Sequence, residues 1–256
     1  MGQLATPKEA TVRSFLAAIA LVSVTSTADA ATLYRATLVR AAPGRLLDII
    51  ALYKERIPVF EAAGDQPPLW MRHYLGDQWD LMLLVPLESF TEYFDKERVA
   101  RRATAAQEQG LPAPSDFRQM VRERMAWHEE VYVEGPSVED LKKAFEGAGL
   151  FHIEMFTALA GKQAELRRER EMENTFLEKI GRPKTLIFTH VEGAGWDLFT
   201  IGFFRDLKHF AESGDVPREK LETAARAAGF LGVDAIGPFL RTLIATHHDT
   251  LAVPVK

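Results

Sequence analysis

Over residues 33–41 apolar and polar positions alternate, placing Tyr34, Ala36 and Leu38 on one side of a strand and Arg35, Thr37 and Val39 on the other. Pro43-Gly44 breaks this pattern, and Leu46, Leu47, Ile50, Tyr53 and Ile57 then recur at helical spacing up to Gly64, with Pro58 tightening the last turn. Residues 69–75 and 79–85 read as two strands joined by the tight turn Gly76-Asp77-Gln78. Ser89 is placed to cap a long charged helix that ends near Gly110 and turns Phe90, Tyr93 and Phe94 inward. Another helix starts at Ser115 or Asp116, with Phe117, Met120, Val121 and Met125 on its apolar side, and residues 130–133 form a short closing strand.

The same programme then returns. Ser137-Val138-Glu139-Asp140 has the capping-box form that starts a short helix to Phe145, which Gly147 and Gly149 stop. Strands follow over 150–157, 185–191 and 196–203, with helices over 161–180, 206–212, beyond Pro217 and near 234–246, and a closing strand near 250–253. His73, Gly76, Trp79, Asp80 and Leu81 recur as His190, Gly193, Trp196, Asp197 and Leu198 at a constant step (190 − 73 = 117), which also places Gly44 on Gly161 and Gly64 on Gly181. Further on the step becomes 119, bringing Arg122 onto Arg241 and His128 onto His247. A register this long predicts an internal duplication.

The expected organisation is residues 31–134 as a first domain, 135–149 as a linker with a short helix, and 150–256 as a second domain. Strand, helix, strand, strand, helix, strand is the ferredoxin-like split βαβ order, so the fold class is α+β with two tandem ferredoxin-like domains. Helices cover one face of each sheet and leave the other in need of a partner. The two bare faces are expected to meet as an intrachain barrel. In the first strand of the second half Phe151, Ile153 and Met155 share one side, and His152, Glu154 and Phe156 the other. The apolar sets should meet the helices, leaving Arg35, Thr37, His152 and Glu154 to line a partly polar middle that holds a ligand.

The 256 residues carry a net charge of −5 with both signs interspersed, which offers phosphate backbones no basic stripe and argues against a nucleic-acid partner. The absence of cysteine excludes disulfides, thiolate metal sites and a Cys nucleophile. Lys8 and Arg13 precede an apolar run over 15–24, and Ala28-Asp29-Ala30 is an A-x-A site, so residues 1–30 read as a secretory signal peptide cleaved after Ala30. The mature protein is then expected to be periplasmic or secreted, with no membrane segment of its own; association of barrels into a homo-oligomer stays open.

This arrangement resembles the dimeric α/β-barrel superfamily, and Gly76-x-x-Trp79-Asp80-Leu81 with its copy Gly193-x-x-Trp196-Asp197-Leu198 looks like the glycine, aromatic, aspartate pattern found where the third strand of such domains begins. The resemblance implies the barrel fold. It also implies a spread of activities, from cofactor-independent monooxygenases and muconolactone-isomerase-like enzymes to haem-degrading enzymes, chlorite dismutase-like haem proteins with two fused domains, and sensing domains without catalysis. No haem-ligand or haem-degrading motif can be placed on this sequence, so the resemblance carries no catalytic residue across.

Three residue sets carry candidate chemistry. His73 and His190 each precede an aspartate by seven residues across a turn; one hairpin register sets them against Asp80 and Asp197, the other against Leu81 and Leu198. They are candidate ligand contacts or simply turn-fixing residues, and Trp79 and Trp196 are core anchors. Arg122, His128 and Glu130 recur as Arg241, His247 and Asp249 at the expected end of the last helix in each half; a histidine beside an acid suits a general base, and the helix dipole alone also favours histidine there.

The third set is His152 and Glu154 with Arg35. A closing strand beside the first would bring His247 or Asp249 to it, making two histidines and a carboxylate that suit zinc or non-haem iron; the plainer reading pairs Glu154 with Arg35 across the barrel. His152, Glu154, His247 and Asp249 are thus the catalytic candidates, and Arg35, Thr37, Arg241, His73 and His190 the ligand-binding ones. The expected function is small-molecule processing, oxygenase-like or isomerase-like, on an apolar or aromatic substrate. A non-catalytic ligand-binding or sensing module and a haem or metal protein are the alternatives, and the cofactor is left undetermined.

Overall fold

The computed structural model describes residues 1–2 and 31–255, so the expected signal peptide lies almost wholly outside the described residues. The first half runs β1 (Thr32–Ala41), α1 (Leu46–Ala62), β2 (Leu69–Leu75), β3 (Leu81–Leu87), α2 (Phe90–Tyr93), α3 (Lys96–Glu108), α4 (Pro114–Arg122) and β4 (Met125–Gly135). After α5 (Val138–Phe145) the second half runs β5 (Leu150–Ala158), α6 (Gln163–Ile180), β6 (Leu186–Gly193), β7 (Leu198–Phe204), α7 (Leu207–Ala211), α8 (Arg218–Ala227), α9 (Ile236–Arg241) and β8 (Ile244–Pro254). All strand pairs are antiparallel, and each half has the ferredoxin-like order, β4-β1-β3-β2 and β8-β5-β7-β6. The halves join at both edges, β2 to β8 and β4 to β6, so the strands close into one barrel and neither sheet keeps a free edge.

The barrel's two faces are the reverse of those expected. Tyr34, Ala36 and Leu38 of β1 and Phe151, Ile153 and Met155 of β5 form one buried cluster with Met82, Leu84, Phe188, Phe199 and Ile201, which spans both halves and fills the interior. Tyr34 meets Phe188 edge-on at 5.6 Å, and Phe188 stacks on Phe199 at 4.5 Å. Leu141 of α5, fully buried, packs on the same cluster and closes one end. The helices cover the other face: Ile49 and Ile50 of α1 meet Val39, Leu81 and Leu83, and Leu166 of α6 meets Phe156 and Leu198. An eight-stranded barrel is only as wide as its own inward side chains can fill, so the larger apolar set belongs inside. Arg35, Thr37, His152 and Glu154 therefore look outward, beneath helices, and do not line the barrel's interior as expected.

Three further expectations are corrected. Ser89 caps only the short α2, because Asp95 interrupts the helix and starts α3 by accepting from the Glu97 and Arg98 N–H groups. Tyr93 is buried as expected, but Phe90 and Phe94 are exposed. The last helix of the chain stops at Arg241, and residues 244–254 are strand, so His247 and Asp249 sit on β8 rather than at a helix end, as His128 and Glu130 sit on β4. The pairing of β8 with both β5 and β2 satisfies backbone groups that a frayed helix end would leave open.

Both hairpins take the register that sets histidine against aspartate: the His73 N–H donates to the Asp80 carbonyl at 2.9 Å and the His190 N–H to the Asp197 carbonyl at 3.0 Å. The two aspartate side chains turn away from the histidines. Asp80 accepts from the Ala41 N–H and Asp197 from the Ala158 N–H, each at 2.8 Å, tying the hairpin to the end of the first strand of its own half.

Candidate active site

Strand β5 lies beside β8, with Glu154 opposite Asp249 and Phe156 opposite His247. Side chains alternate along a strand, so His152 and Glu154 of β5 share the outer face with His247 and Asp249 of β8. His152 Nε2 is 2.9 Å from Asp249 Oδ1. His247 Nε2 is 3.4 Å from Glu154 Oε1 and 3.5 Å from Asp249 Oδ2, while its ring stacks on Phe156 at 4.6 Å. The four catalytic candidates thus form one cluster, outside the barrel and not within it.

Helix α6 covers the cluster. The Arg170 guanidinium lies 3.7 Å from Glu154 Oε1, 2.5 Å from Glu173 Oε2 and 2.6 Å from Glu169 Oε2, with its carbon 4.9 Å above the Phe156 ring. The Thr200 hydroxyl of β7 donates to Glu154 Oε2 at 3.1 Å. Phe210 of α7 flanks His152 at 5.2 Å between rings. Asp249 is half exposed, so the cluster opens to solvent on the β8 side and is closed by α6 on the other.

The electrostatics separate these groups. Burial works against the His152 cation, but the hydrogen bond it donates to Asp249 and the charges of Glu154, Asp249 and Glu173 outweigh it, and the pKa is raised above the ordinary 6.5. Burial would likewise raise Glu154, yet His247, Arg170 and His152 hold it far below the usual carboxylate range. Glu173 goes the other way: burial, with the negative charges of Glu154 and Glu169, pushes it up in spite of Arg170. A carboxylate kept ionised next to a carboxyl pushed towards neutrality is an arrangement that separates proton-donating from charge-holding roles.

A carboxylate can only accept, so His152 carries its proton on Nε2 and leaves the Nδ1 lone pair as the base. The donor atoms of His152, Glu154 and Asp249 also lie within 4.8 Å of one another, and these three are groups that could hold a metal ion. The Arg170 guanidinium beside Glu154 opposes a dication there.

The ligand-binding candidates do not join this cluster. Arg35 and Thr37 occupy the corresponding outer face of the first half, and Glu154 pairs with Arg170 rather than with Arg35. Arg241 is exposed at the end of α9. His73 packs edge-on against the buried Trp79 at 5.7 Å, and His190 lies on the far seam of the barrel, where β6 meets β4. Trp196 is anchored by donating to Glu129 at 2.9 Å.

The dense run of charges over residues 167–173 hides Arg170, Glu169 and Glu173 in the sequence. Their spacing is the signal: Glu169 and Arg170 form one buried stripe with Leu166, Phe176 and Ile180 at helical intervals, and charges embedded in such a stripe face the sheet.

The sequence matches no protein-family model and no curated protein. Solved structures share the fold, two ferredoxin-like halves closed into one barrel within a single chain. An anthrone oxidase-like protein superposes with a TM-score of 0.55 at 10% identity, over 90% of this chain and 93% of that one. A provisionally named monooxygenase from Fusobacterium nucleatum subsp. nucleatum gives 0.50 at 10% identity, over 89% and 94%. A provisionally named chlorite dismutase gives 0.46 at 12% identity, over 88% and 95%. At these identities the first two likenesses support the architecture alone, and activity has to be argued from the site.

Proposed function

We propose that the protein is an exported enzyme that processes a small apolar or aromatic molecule in the helix-covered cleft of its second half, by proton transfer at His152. The observation that carries this reading is the 2.9 Å contact between His152 Nε2 and Asp249 Oδ1, which orients the ring and favours its cation. His152 Nδ1 takes a proton from the substrate, and Arg170 and His247 steady the anion that forms. Return of the proton at another atom gives an isomerase-like outcome. Addition of the anion to dioxygen, with the proton on His152 passed to the distal oxygen, gives a hydroperoxide and so a cofactor-independent, oxygenase-like outcome; two structural neighbours are named as an anthrone oxidase-like protein and, provisionally, a monooxygenase. The secretory pattern of residues 1–30 supports action outside the cytoplasm, with a small molecule as the principal partner and a homo-oligomer compatible with the barrel's outer surface.

Native mass spectrometry on protein from its own host, followed by incubation of the recovered ligand in air, tests the proposal. Conversion by the wild type that His152→Gln and Glu154→Gln abolish supports it. A ligand that leaves unaltered supports a binding or sensing module instead.

A second reading, a metal centre, is favoured by the clustering of His152, Glu154 and Asp249 donor atoms. Stoichiometric zinc or iron by elemental analysis, lost in Asp249→Asn, would establish it over the metal-free one.

A further inference from the structure

A pocket of about 220 Å³ lies at one mouth of the barrel. Tyr34 and Phe151 stand at the opposite end, which α5 closes; Leu38 and Met155, four residues further along the same strands, reach the pocket. Three of the four tryptophans of the chain line it, Trp79, Trp127 and Trp196.

The charge of this lining is one-sided. It includes Asp77 and Glu129 and neither a lysine nor an arginine. Glu129 accepts from the Trp196 indole N–H at 2.9 Å and makes no ion pair among the described residues. Asp77 takes a local bond from the Gln78 N–H and meets one basic group, the His248 ring, at 3.3 Å. The duplication separates what the scaffold needs from what it does not. In the repeat Trp79 falls on Trp196, Glu129 on His248 and Asp77 on Ala194. The second hairpin closes in the same register with alanine at that place, so the turn does not require the Asp77 charge.

Carboxylates among indole rings, without a lysine or arginine to neutralise them, make a place of negative potential in an aromatic wall. Indole faces attract cations, most effectively those that hold little water. An ammonium ion clothed in methyl groups meets both conditions, being charged as a whole and apolar at its surface. The volume is below the roughly 300–1,000 Å³ of sites for larger ligands, so it suits a compact head-group.

We propose that the barrel mouth binds a small quaternary ammonium compound, with Trp127 and Trp196 against its methyl groups and Asp77 and Glu129 balancing its charge. The site uses none of His152, Glu154, His247 and Asp249, so it does not rest on the proposed reaction.

Isothermal titration of choline into the purified protein tests it. Choline binds the wild type saturably. Its neutral carbon analogue, an alcohol with a tert-butyl group in place of the trimethylammonium, binds about tenfold more weakly or not at all. Trp127 is 36% exposed and Glu129 is exposed, so Trp127→Leu and Glu129→Gln fold, and each weakens choline binding by about threefold or more. Circular dichroism checks the fold, and should either variant fail to fold, Asp77→Asn takes its place. The proposal is overturned if choline gives no saturable heat, if the neutral analogue binds as well as choline, or if either folded variant binds choline as the wild type does.

Discussion

Thr37 and Glu154 occupy the same place in the two halves: Thr37 stands opposite Glu130 in the pairing of β1 with β4, and Glu154 stands opposite Asp249 in the pairing of β5 with β8. Both side chains point away from the barrel and under a helix. The replacement of a hydroxyl by a carboxylate, together with Arg35 by His152, sets an arginine beside Tyr93 in one half against a histidine and carboxylate cluster in the other. Similar backbones thus carry two different chemistries.

If His152 is the base, His152→Gln lowers kcat on the recovered substrate by roughly 100-fold to 10,000-fold with the fold intact. Activity in the wild type falls as pH drops through the raised His152 pKa, because the base is then protonated. Asp249→Asn removes the group that favours the cation, so the acidic limb of kcat/KM moves to lower pH. A limb that stays in place would detach Asp249 from the reaction.

Glu154 has a folded-state pKa below its ordinary 4.5, so its interactions stabilise the protein above that pH and are lost as pH falls through 4.5 towards about 2. Glu154→Gln should cost about 1–3 kcal/mol at neutral pH, since it removes the charge facing Arg170 and His247 and turns one of the two acceptor oxygens into a donor. The gap between wild type and variant should close in acid. Urea denaturation at a series of pH values measures this, and a gap independent of pH would contradict it.

Gly76 and Gly193 sit where one half's hairpin crosses the other half's closing strand. Their φ angles are +116° and +109°, and a Cβ at Gly76 would lie 2.3 Å from the Asp249 carbonyl oxygen, one at Gly193 2.6 Å from that of Glu130. Neither backbone can yield easily, so both alanine variants should melt well below the wild type. Gly76→Ala should also impair activity, because it displaces Asp249, whereas Gly193→Ala, which presses on Glu130 in the other half, should leave the folded protein active. Equal losses of activity in the two variants would argue against a site confined to the second half.

Phe151 and Phe199 are fully buried inside the barrel. Phe151→Ala should cost about 3–5 kcal/mol by the cavity it leaves, read as a lowered urea midpoint. Phe151 points into the interior cluster while His152 faces outward, so ligand affinity in the folded variant should hold; its loss would return the binding site to the barrel.

Much of this architecture was legible in the sequence because it depends on local signals. Alternation marks strands, glycines mark turns, and the recurrence of Gly-x-x-Trp-Asp-Leu predicts matching hairpins, which the Asp80 and Asp197 tethers bear out in geometry. The inside and the outside of the barrel were not legible. Both faces of β1 and β5 hold large apolar groups, Tyr34 and Phe151 on one, Val39 and Phe156 on the other, and β3 is buried along its whole length. Alternation separates two faces without saying which meets helices. Residues 127–130 and 246–249 lack an apolar period because the strand tips there are exposed on both sides, and so they read as helix ends. His152, Glu154, His247 and Asp249 could still be grouped, since strand adjacency alone brings them together. Arg170 could not, because only its position in the packed stripe of α6 separates it from a surface arginine.

The account turns on His152 being a base set by Asp249 in a cleft outside the barrel, and titration of the His152 ring by nitrogen-detected NMR tests this most directly. The expected result is a ring protonated on Nε2 at high pH, with a pKa above 6.5 that drops in Asp249→Asn. A ring protonated on Nδ1, or a pKa at or below 6.5 that Asp249→Asn leaves unchanged, would contradict it.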